Sequence, residues 1–333
     1  MPNTVITMQM MKAAVYRRFG GPEVVRIEQI KTPKPKANEV LVRVHASTVS
    51  IADYRVRSKT LPEGLGFFGP IALGIFRPRK RVLGMELAGV IEEIGASVTR
   101  FKVGDKVLGV RGGKFGCHAE YAILAEDGTI ALAPSNLPLD DAVAVIFGGI
   151  TASTFFNAVK LGPGVTVLVN GASGSTGTAA VQIAAAAGAH VTGVSSAGNH
   201  EFVKALGAAE MIDYATTDFT RNGKTYDIVV DTVGNASFAK AGGSVKPGGA
   251  LLLIIASLNS MLTAKRDTKR NGKLVSLGES RLGPSDMERV VQLAEEGILV
   301  PVIDGRYSFD TITAAHEHVS TGRKRGNLVL KLV

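Results

Sequence analysis

The chain has 333 residues, 45% of them apolar and 20% charged, a globular balance that excludes a disordered or fibrous protein and leaves room for about two domains. Lys plus Arg number 38 against 29 Asp plus Glu, so the net charge is +9; this favours anionic ligands without demonstrating a nucleic-acid partner. The single cysteine, Cys117, excludes an internal disulfide framework and a multi-cysteine zinc site.

Met1 to Met11 shows no basic segment followed by a long apolar core, so no secretory signal is expected. Ala250 to Ala256, the longest apolar stretch, falls far short of the about 20 residues of a membrane span. Cytoplasmic residence and no membrane partner are therefore expected. The first third carries short β-type runs punctuated by Gly and Pro: Val40 to Val44, Gly89 to Ile94 and Lys106 to Val110. Such spacing predicts a barrel-like or sandwich-like β domain.

Near Leu137 the pattern changes to alternating strands and helices. Strands are expected at Val165 to Asn170, Val191 to Val194, Met211 to Asp213, Ile228 to Asp231 and Leu251 to Ile255. Helices are expected at Thr178 to Ala187, stopped by Gly188, and at His200 to Leu206, stopped by Gly207. This alternation predicts a doubly wound parallel sheet. From about Gly283 a helix (Asp286 to Glu296) and strands near Tyr307 and Leu328 to Leu332 return to the style of the first third. Residues 1–135 and 283–333 are thus expected to form one domain, with 136–282 inserted.

The main chemical signal is Gly171, Ala172, Ser173, Gly174, Ser175, Thr176 and Gly177, a glycine-rich turn between a buried strand and a helix. Such a turn lets backbone N–H groups and the helix N-terminus hold a pyrophosphate. NAD-specific sites place a carboxylate about 20 residues on. Here the second strand runs into Ser195, Ser196, Ala197, Gly198 and Asn199, and no acid precedes Glu201. The turn therefore admits NADP, with Ser195, Ser196 and Asn199 around the 2′-phosphate and Tyr214 closing over it; NAD is the less favoured cofactor. No Arg or Lys stands in the turn itself.

Ordered motifs now carry a resemblance. Met11 to Val15 with Gly20-Gly21-Pro22-Glu23, Val49 to Ser58, Leu83 to Val90 with Gly95, Gly104 to Val107, Ala119-Glu120-Tyr121, Gly148 to Ala152, Ile212-Asp213-Tyr214 and Asp231 to Gly234 follow one another. The chain resembles a zinc-independent, quinone oxidoreductase-like member of the medium-chain dehydrogenases/reductases. The resemblance leaves out Met1 to Met10 and Ser257 to Lys273. It implies an α/β fold: a Rossmann domain inserted in a β-rich, GroES-like catalytic domain formed by both termini, with the active site between them. It also places Thr151 and Val233 at the cofactor and Ser50 at the nicotinamide pocket.

Ser50 or Ile51 stands where the superfamily's zinc-binding cysteine would be, and Met85 where the histidine would be. An alcohol and a thioether do not make the usual Zn²⁺ site, so no metal is expected. Cys117-His118, read as neighbours on a strand, would point to opposite faces. Without a metal, hydride transfer suits a quinone or an α,β-unsaturated carbonyl, whose conjugation carries charge to a distant oxygen. Tyr54 is the candidate proton donor, Asp53 a framework acid, and Arg55 and Arg57 surface or phosphate-facing groups. The alternatives are a metal-free alcohol or aldehyde reductase and a non-catalytic, cofactor-binding protein, for example one associated with RNA. The basic runs Arg77 to Arg81 and Lys265 to Arg270 lack interleaved aromatics, so no nucleic-acid surface is expected. They suit solvated faces or the steering of an anionic cofactor or a coenzyme A thioester. Gly272 to Leu277 is expected to be the edge strand through which a homodimer forms.

Overall fold

The computed structural model describes residues 9–278 and 282–333. Most of the N-terminal stretch in which no secretory signal was found lies outside them. In chain order the first part builds β1 (Met10–Tyr16), β2 (Val25–Lys31), β3 (Glu39–Thr48), α1 (Ile51–Ser58), α2 (Gly69–Leu73), β4 (Glu86–Ile94), β5 (Lys106–Val110), β6 (Tyr121–Ala125) and β7 (Ile130–Leu132). Then come α3 (Leu139–Ala142), α4 (Ile146–Phe156), β8 (Thr166–Asn170), α5 (Ser175–Ala186), β9 (His190–Ser195), α6 (His200–Ala205), β10 (Glu210–Asp213), β11 (Tyr226–Asp231), α7 (Phe238–Ala241), β12 (Val245–Leu253), α8 (Leu258–Asn271) and β13 (Leu274–Ser276). The last part adds α9 (Pro284–Glu295), β14 (Ile303–Ser308), α10 (Ile312–Ser320) and β15 (Asn327–Lys331).

The middle strands form a six-stranded sheet in the order β10-β9-β8-β11-β12-β13, every pair parallel. β8 and β11 are almost wholly buried, as continuous apolar runs in a helix-covered parallel sheet should be. Gly188 (φ +83°) and Gly207 (φ +112°) adopt left-handed backbone just past α5 and α6, which ends each helix. The order reverses between β9-β8 and β8-β11, so a crevice opens at the carboxyl ends of β8 and β11. β10 and β13 are the two edge strands of this sheet.

The second large sheet runs β14-β15-β3-β4-β5-β7, with β6 also on β3. β15, from the end of the chain, pairs with β3 through Val329↔Thr48 and Lys331↔Ala46, so both termini build one β-rich unit. The fold is the mixed α/β arrangement expected. One core joins the two sheets: Ala46, Ala88 and Leu108 pack in the same cluster as Val167, Val169, Met287 and Val290. The helical run 139–156 is long and apolar enough to cross a membrane by length and composition, but most of it is buried in this core. Gly148 permits that packing, since a Cβ there would sit 2.4 Å from the Ser175 carbonyl oxygen.

Helix α5 begins at Ser175, three residues before the expected start, so Ser175 to Gly177 are its first turn rather than the loop before it. Residues 257–273, outside the resemblance, contain the whole of α8, whose Lys265, Arg266, Lys269 and Arg270 are exposed. Cys117 and His118 lie in a loop, not on a strand. They do diverge: Cys117 packs with Val40 and Leu87, while His118 Nε2 lies 2.9 Å from the Thr48 carbonyl oxygen.

Candidate active site

At the crevice the backbone of β8 leaves the sheet through Gly171, whose φ of +81° is a left-handed value that glycine adopts without strain. A Cβ at Gly171 would lie 2.4 Å from Thr232 Oγ1 and 2.8 Å from Val233 Cγ2, so this glycine lets the two loops meet. Gly177 is required by the helix, because a Cβ there would lie 2.0 Å from the Gly171 carbonyl oxygen. Gly174 differs from both. It caps α5 with extended backbone (φ −81°, ψ 174°), and a Cβ would meet only the Gly171 oxygen, at 3.5 Å. Neither strain nor internal packing demands a glycine there. The remaining reason is close approach from outside, which is what a dinucleotide pyrophosphate needs. The first-turn N–H groups have no intrahelical partner, and Gly174 has no side chain to occupy them. The cradle fits a dinucleotide.

Not every residue of the turn presents its side chain. Ala172 is buried in the core, and Ala172 N donates to the Val194 oxygen at 3.0 Å. Ser175 Oγ donates to Asn327 Oδ1 at 2.6 Å, and Gly326 N donates to the Ser173 oxygen at 2.8 Å. Asn327 in turn donates through Nδ2 to the Ala144 and Val302 oxygens. Thr176 is buried. Gly326 and Asn327 thus moor the turn to the β-rich unit, a role the sequence pattern did not suggest. Asp231, fully buried, accepts from Val233 N, Gly234 N and Ala236 N and from Asn170 Nδ2, which fixes the loop after β11 and leaves Val233 exposed beside Gly171.

The 195–199 turn stands next to this cradle. Tyr214 N donates to the Ser195 oxygen at 3.3 Å, so Ser195 and Tyr214 are neighbours. Ser195 Oγ donates to the Ser196 oxygen, and Asn199 Nδ2 donates to Ser196 Oγ at 3.1 Å; among the described residues nothing accepts the Ser196 hydroxyl proton. A cation does stand here, supplied from the far end of the chain: Arg325 Nη2 donates to the Gly198 oxygen at 3.0 Å. Arg325 N is held by Asp304 Oδ2 at 3.0 Å.

Thr151 lies in the middle of α4 rather than at its start, and its Oγ1 donates to the Phe147 oxygen at 2.7 Å. Its hydroxyl is therefore an acceptor toward any ligand. Ser50 caps α1, and both its N and Oγ donate to Asp53 Oδ2 at 2.8 Å. Asp53, fully buried, also accepts from Gly84 N at 2.8 Å, which ties α1 to the 83–85 segment. Asp53→Asn keeps the shape but replaces an acceptor by a donor, and should lower unfolding stability by about 1–2 kcal/mol in denaturant titration. Arg57 is not a surface group: it is 1% exposed, its Nη2 donates to Ser320 Oγ at 2.8 Å, and it lies near buried His316. Arg55 is half-buried. The half-buried Tyr54 packs with Met85 and Phe115, under the Arg57 guanidinium, and its hydroxyl bonds to no described residue.

The zinc position can be tested on its donors. Met85 offers a thioether, and Ser50 Oγ is already engaged by Asp53. Among the described residues no three His, Cys, Asp or Glu side chains converge, so this donor set does not fit a catalytic zinc. The buried Glu86 accepts from Thr48 Oγ1, and burial, with the Asp53 charge, pushes its carboxyl up to about 8. A carboxyl raised on folding stabilises fully below its ordinary value and loses that contribution as pH rises through about 8. Thermal melts should therefore show the wild type losing more stability between pH 5 and 8 than Glu86→Gln, which cannot ionise. Equal losses would show that Glu86 is ionised throughout.

Residues 36–134 match the alcohol dehydrogenase GroES-like domain, and residues 206–330 match a zinc-binding dehydrogenase family. The chain is 31% identical to the chloroplast envelope quinone oxidoreductase homolog of Arabidopsis thaliana, over 97% of this chain and 99% of that one. It is 29% identical to the 2-methylene-furan-3-one reductase of Solanum lycopersicum, over 96% of this chain and 79% of the relative. The structure of the quinone oxidoreductase from Coxiella burnetii superposes with a TM-score of 0.84 at 29% identity, covering 98% of this chain and 100% of its own. With its split β-rich unit, its inserted six-stranded parallel sheet and relatives matched end to end, the chain is an oxidoreductase that belongs to the quinone oxidoreductase-like family of the medium-chain dehydrogenases/reductases.

Proposed function

We propose that this protein is an NADPH-dependent reductase of quinones or α,β-unsaturated carbonyls that works without a metal. The observation that carries the cofactor choice is the Arg325 guanidinium against the 195–199 turn, where no carboxylate stands to repel a 2′-phosphate. Bound across Gly171 to Gly177, NADPH supplies the hydride. The first turn of α5 holds the pyrophosphate, with Ser173 and Gly174 giving it room. Ser196, Asn199 and Tyr214 surround the phosphorylated ribose, while Ser195, expected there from the sequence, is buried behind them with its hydroxyl on the Ser196 carbonyl oxygen, and Val233 and Thr151 stand toward the ring end. Acceptor chemistry follows from the donor set. Nothing here polarises an isolated carbonyl as a zinc ion would, whereas a conjugated acceptor spreads its charge to an oxygen that one O–H donor can stabilise. Tyr54 is that donor, with Ser50 and Asp53 keeping α1 in place. The names of the relatives, quinone oxidoreductases and a 2-methylene-furan-3-one reductase whose substrate is a conjugated ketone, support this acceptor class.

Mixing the protein with NADPH and a small quinone or enone should bleach the nicotinamide absorbance. Binding without turnover of any such acceptor would refute the catalytic reading. Tyr54→Phe should lower kcat about tenfold, the effect of one lost hydrogen bond to a developing anion in a cleft that water partly reaches, and leave NADPH affinity unchanged. Cytoplasmic residence and a homodimer across the edge strand β13 belong to the same proposal, and cell fractionation and sedimentation check them.

A further inference from the structure

An open cavity of about 550 Å³ lies between residues 78–82 and the loop 111–116, outside the cofactor cradle. Arg79, Lys80, Arg81, Arg111 and Lys114 line it, and no carboxylate does. Among the described residues none of the five forms an ion pair. Arg111 Nη1 donates to the Ile123 oxygen at 3.0 Å, but its Nε is buried without a partner. Buried donors are normally satisfied, and like charges gathered in a concave site focus a positive potential that an anion relieves. Five cations exceed what one carboxylate requires, and the volume exceeds what one small ion fills. Guanidinium forks and ammonium groups together match several phosphate groups.

The cavity shares a wall with the catalytic cleft. Arg111 N donates to the Met85 oxygen at 2.7 Å, and Gly116 N donates to the Leu83 oxygen at 3.1 Å, so the loop is fastened to the segment that Asp53 ties to α1. Phe115 lines the cavity and packs in the same cluster as Tyr54 and Met85. Its φ of +53° is a left-handed value that is rare for so bulky a residue, and such strain persists where the surroundings hold it.

We propose that this cavity binds the phosphate groups of a substrate's tail, so that the reducible end of the same molecule lies past Phe115 beside Tyr54. The claim about the reducible end rests on the enone-reductase reading; the claim about the cavity does not. Arg79 and Lys114 are exposed, so the double variant Arg79→Ser/Lys114→Ser should fold as the wild type does. Calorimetry with inorganic pyrophosphate on the full chain saturated with NADPH, which keeps the Gly171 to Gly177 cradle occupied, should show binding that weakens at least tenfold in that variant. In turnover, crotonyl-coenzyme A carries the phosphorylated tail, and the crotonyl thioester of N-acetylcysteamine lacks it. The variant should raise KM at least tenfold for the first and leave KM and kcat for the second unchanged. Pyrophosphate that fails to bind, or binds both proteins equally, overturns the site. Pyrophosphate binding lost in the variant with both thioesters unaffected makes a free anion the ligand and overturns the tail. If neither thioester is reduced by either protein while pyrophosphate behaves as expected, the phosphate site stands and the enone-reductase reading, with the placement of the reducible end, falls.

Discussion

Gly174→Val should raise the dissociation constants of NADPH and NADH together by more than about a thousandfold, with little change in melting temperature. The second half of this expectation comes from the backbone. Gly174 has φ −81° and ψ 174°, which valine adopts without strain, and the nearest internal atom to a new Cβ is 3.5 Å away. The first half comes from what a pyrophosphate needs. Its oxygens reach the first-turn N–H groups of α5 only if no side chain stands over the N-cap. Two or three charge-assisted hydrogen bonds of about 1.5–3 kcal/mol each would be lost, and 4 kcal/mol is already about a thousandfold. Gly177→Val is the control with the opposite signature. Its Cβ would fall 2.0 Å from the Gly171 oxygen, so that variant should lose stability first. Fluorescence titration beside thermal melts separates the two. Unchanged nucleotide affinity in Gly174→Val would mean that the cofactor does not cross this turn.

Local pattern made the turn legible. β5 falls at the expected residues 106–110, and the glycine stops after α5 and α6 are where the left-handed backbone occurs. Both signals depend on a few adjacent residues, which is why they survive in a bare sequence. What escaped depends on contacts between distant parts of the chain. Asn327 meets Ser175 across 152 positions, and Arg325 meets Gly198 across 127. No periodicity encodes such a meeting; the sheet pairing of β15 with β3 does, by carrying the C-terminal segment over the crevice. Arg57 escaped for a related reason. Its helix gives it a polar residue type and a surface expectation, but α10 covers it and supplies Ser320. Gly148 and Gly149 lie inside α4, where they let the helix approach its neighbours, a packing role that a glycine pair in a bare sequence does not announce.

The same long-range contact sets the second large effect. Arg325→Ser should weaken NADPH by about 30- to 100-fold and leave NADH within about twofold. The 195–199 turn has hydroxyl and amide donors but no charge of its own. Arg325 brings one, and only one of its five N–H donors is spent on the Gly198 oxygen, so the rest of the fork remains for a dianionic 2′-phosphate. A lost charge-assisted contact of about 2–3 kcal/mol corresponds to the fold-change expected. Because Arg325 is exposed, salt screens the contact, and the wild-type preference for NADPH should fall steeply between 50 and 300 mM salt while that of the variant stays flat. NADH, with only a ribose hydroxyl at that position, offers the guanidinium no charge to meet, so its kcat/KM should respond to neither change. The ratio of kcat/KM for the two nucleotides, measured at both salt concentrations, is the deciding quantity. A ratio that Arg325→Ser leaves unaltered would remove the guanidinium from the recognition of the phosphate and shift that task to Ser196, Asn199 and Tyr214, whose neutral donors predict a preference insensitive to salt.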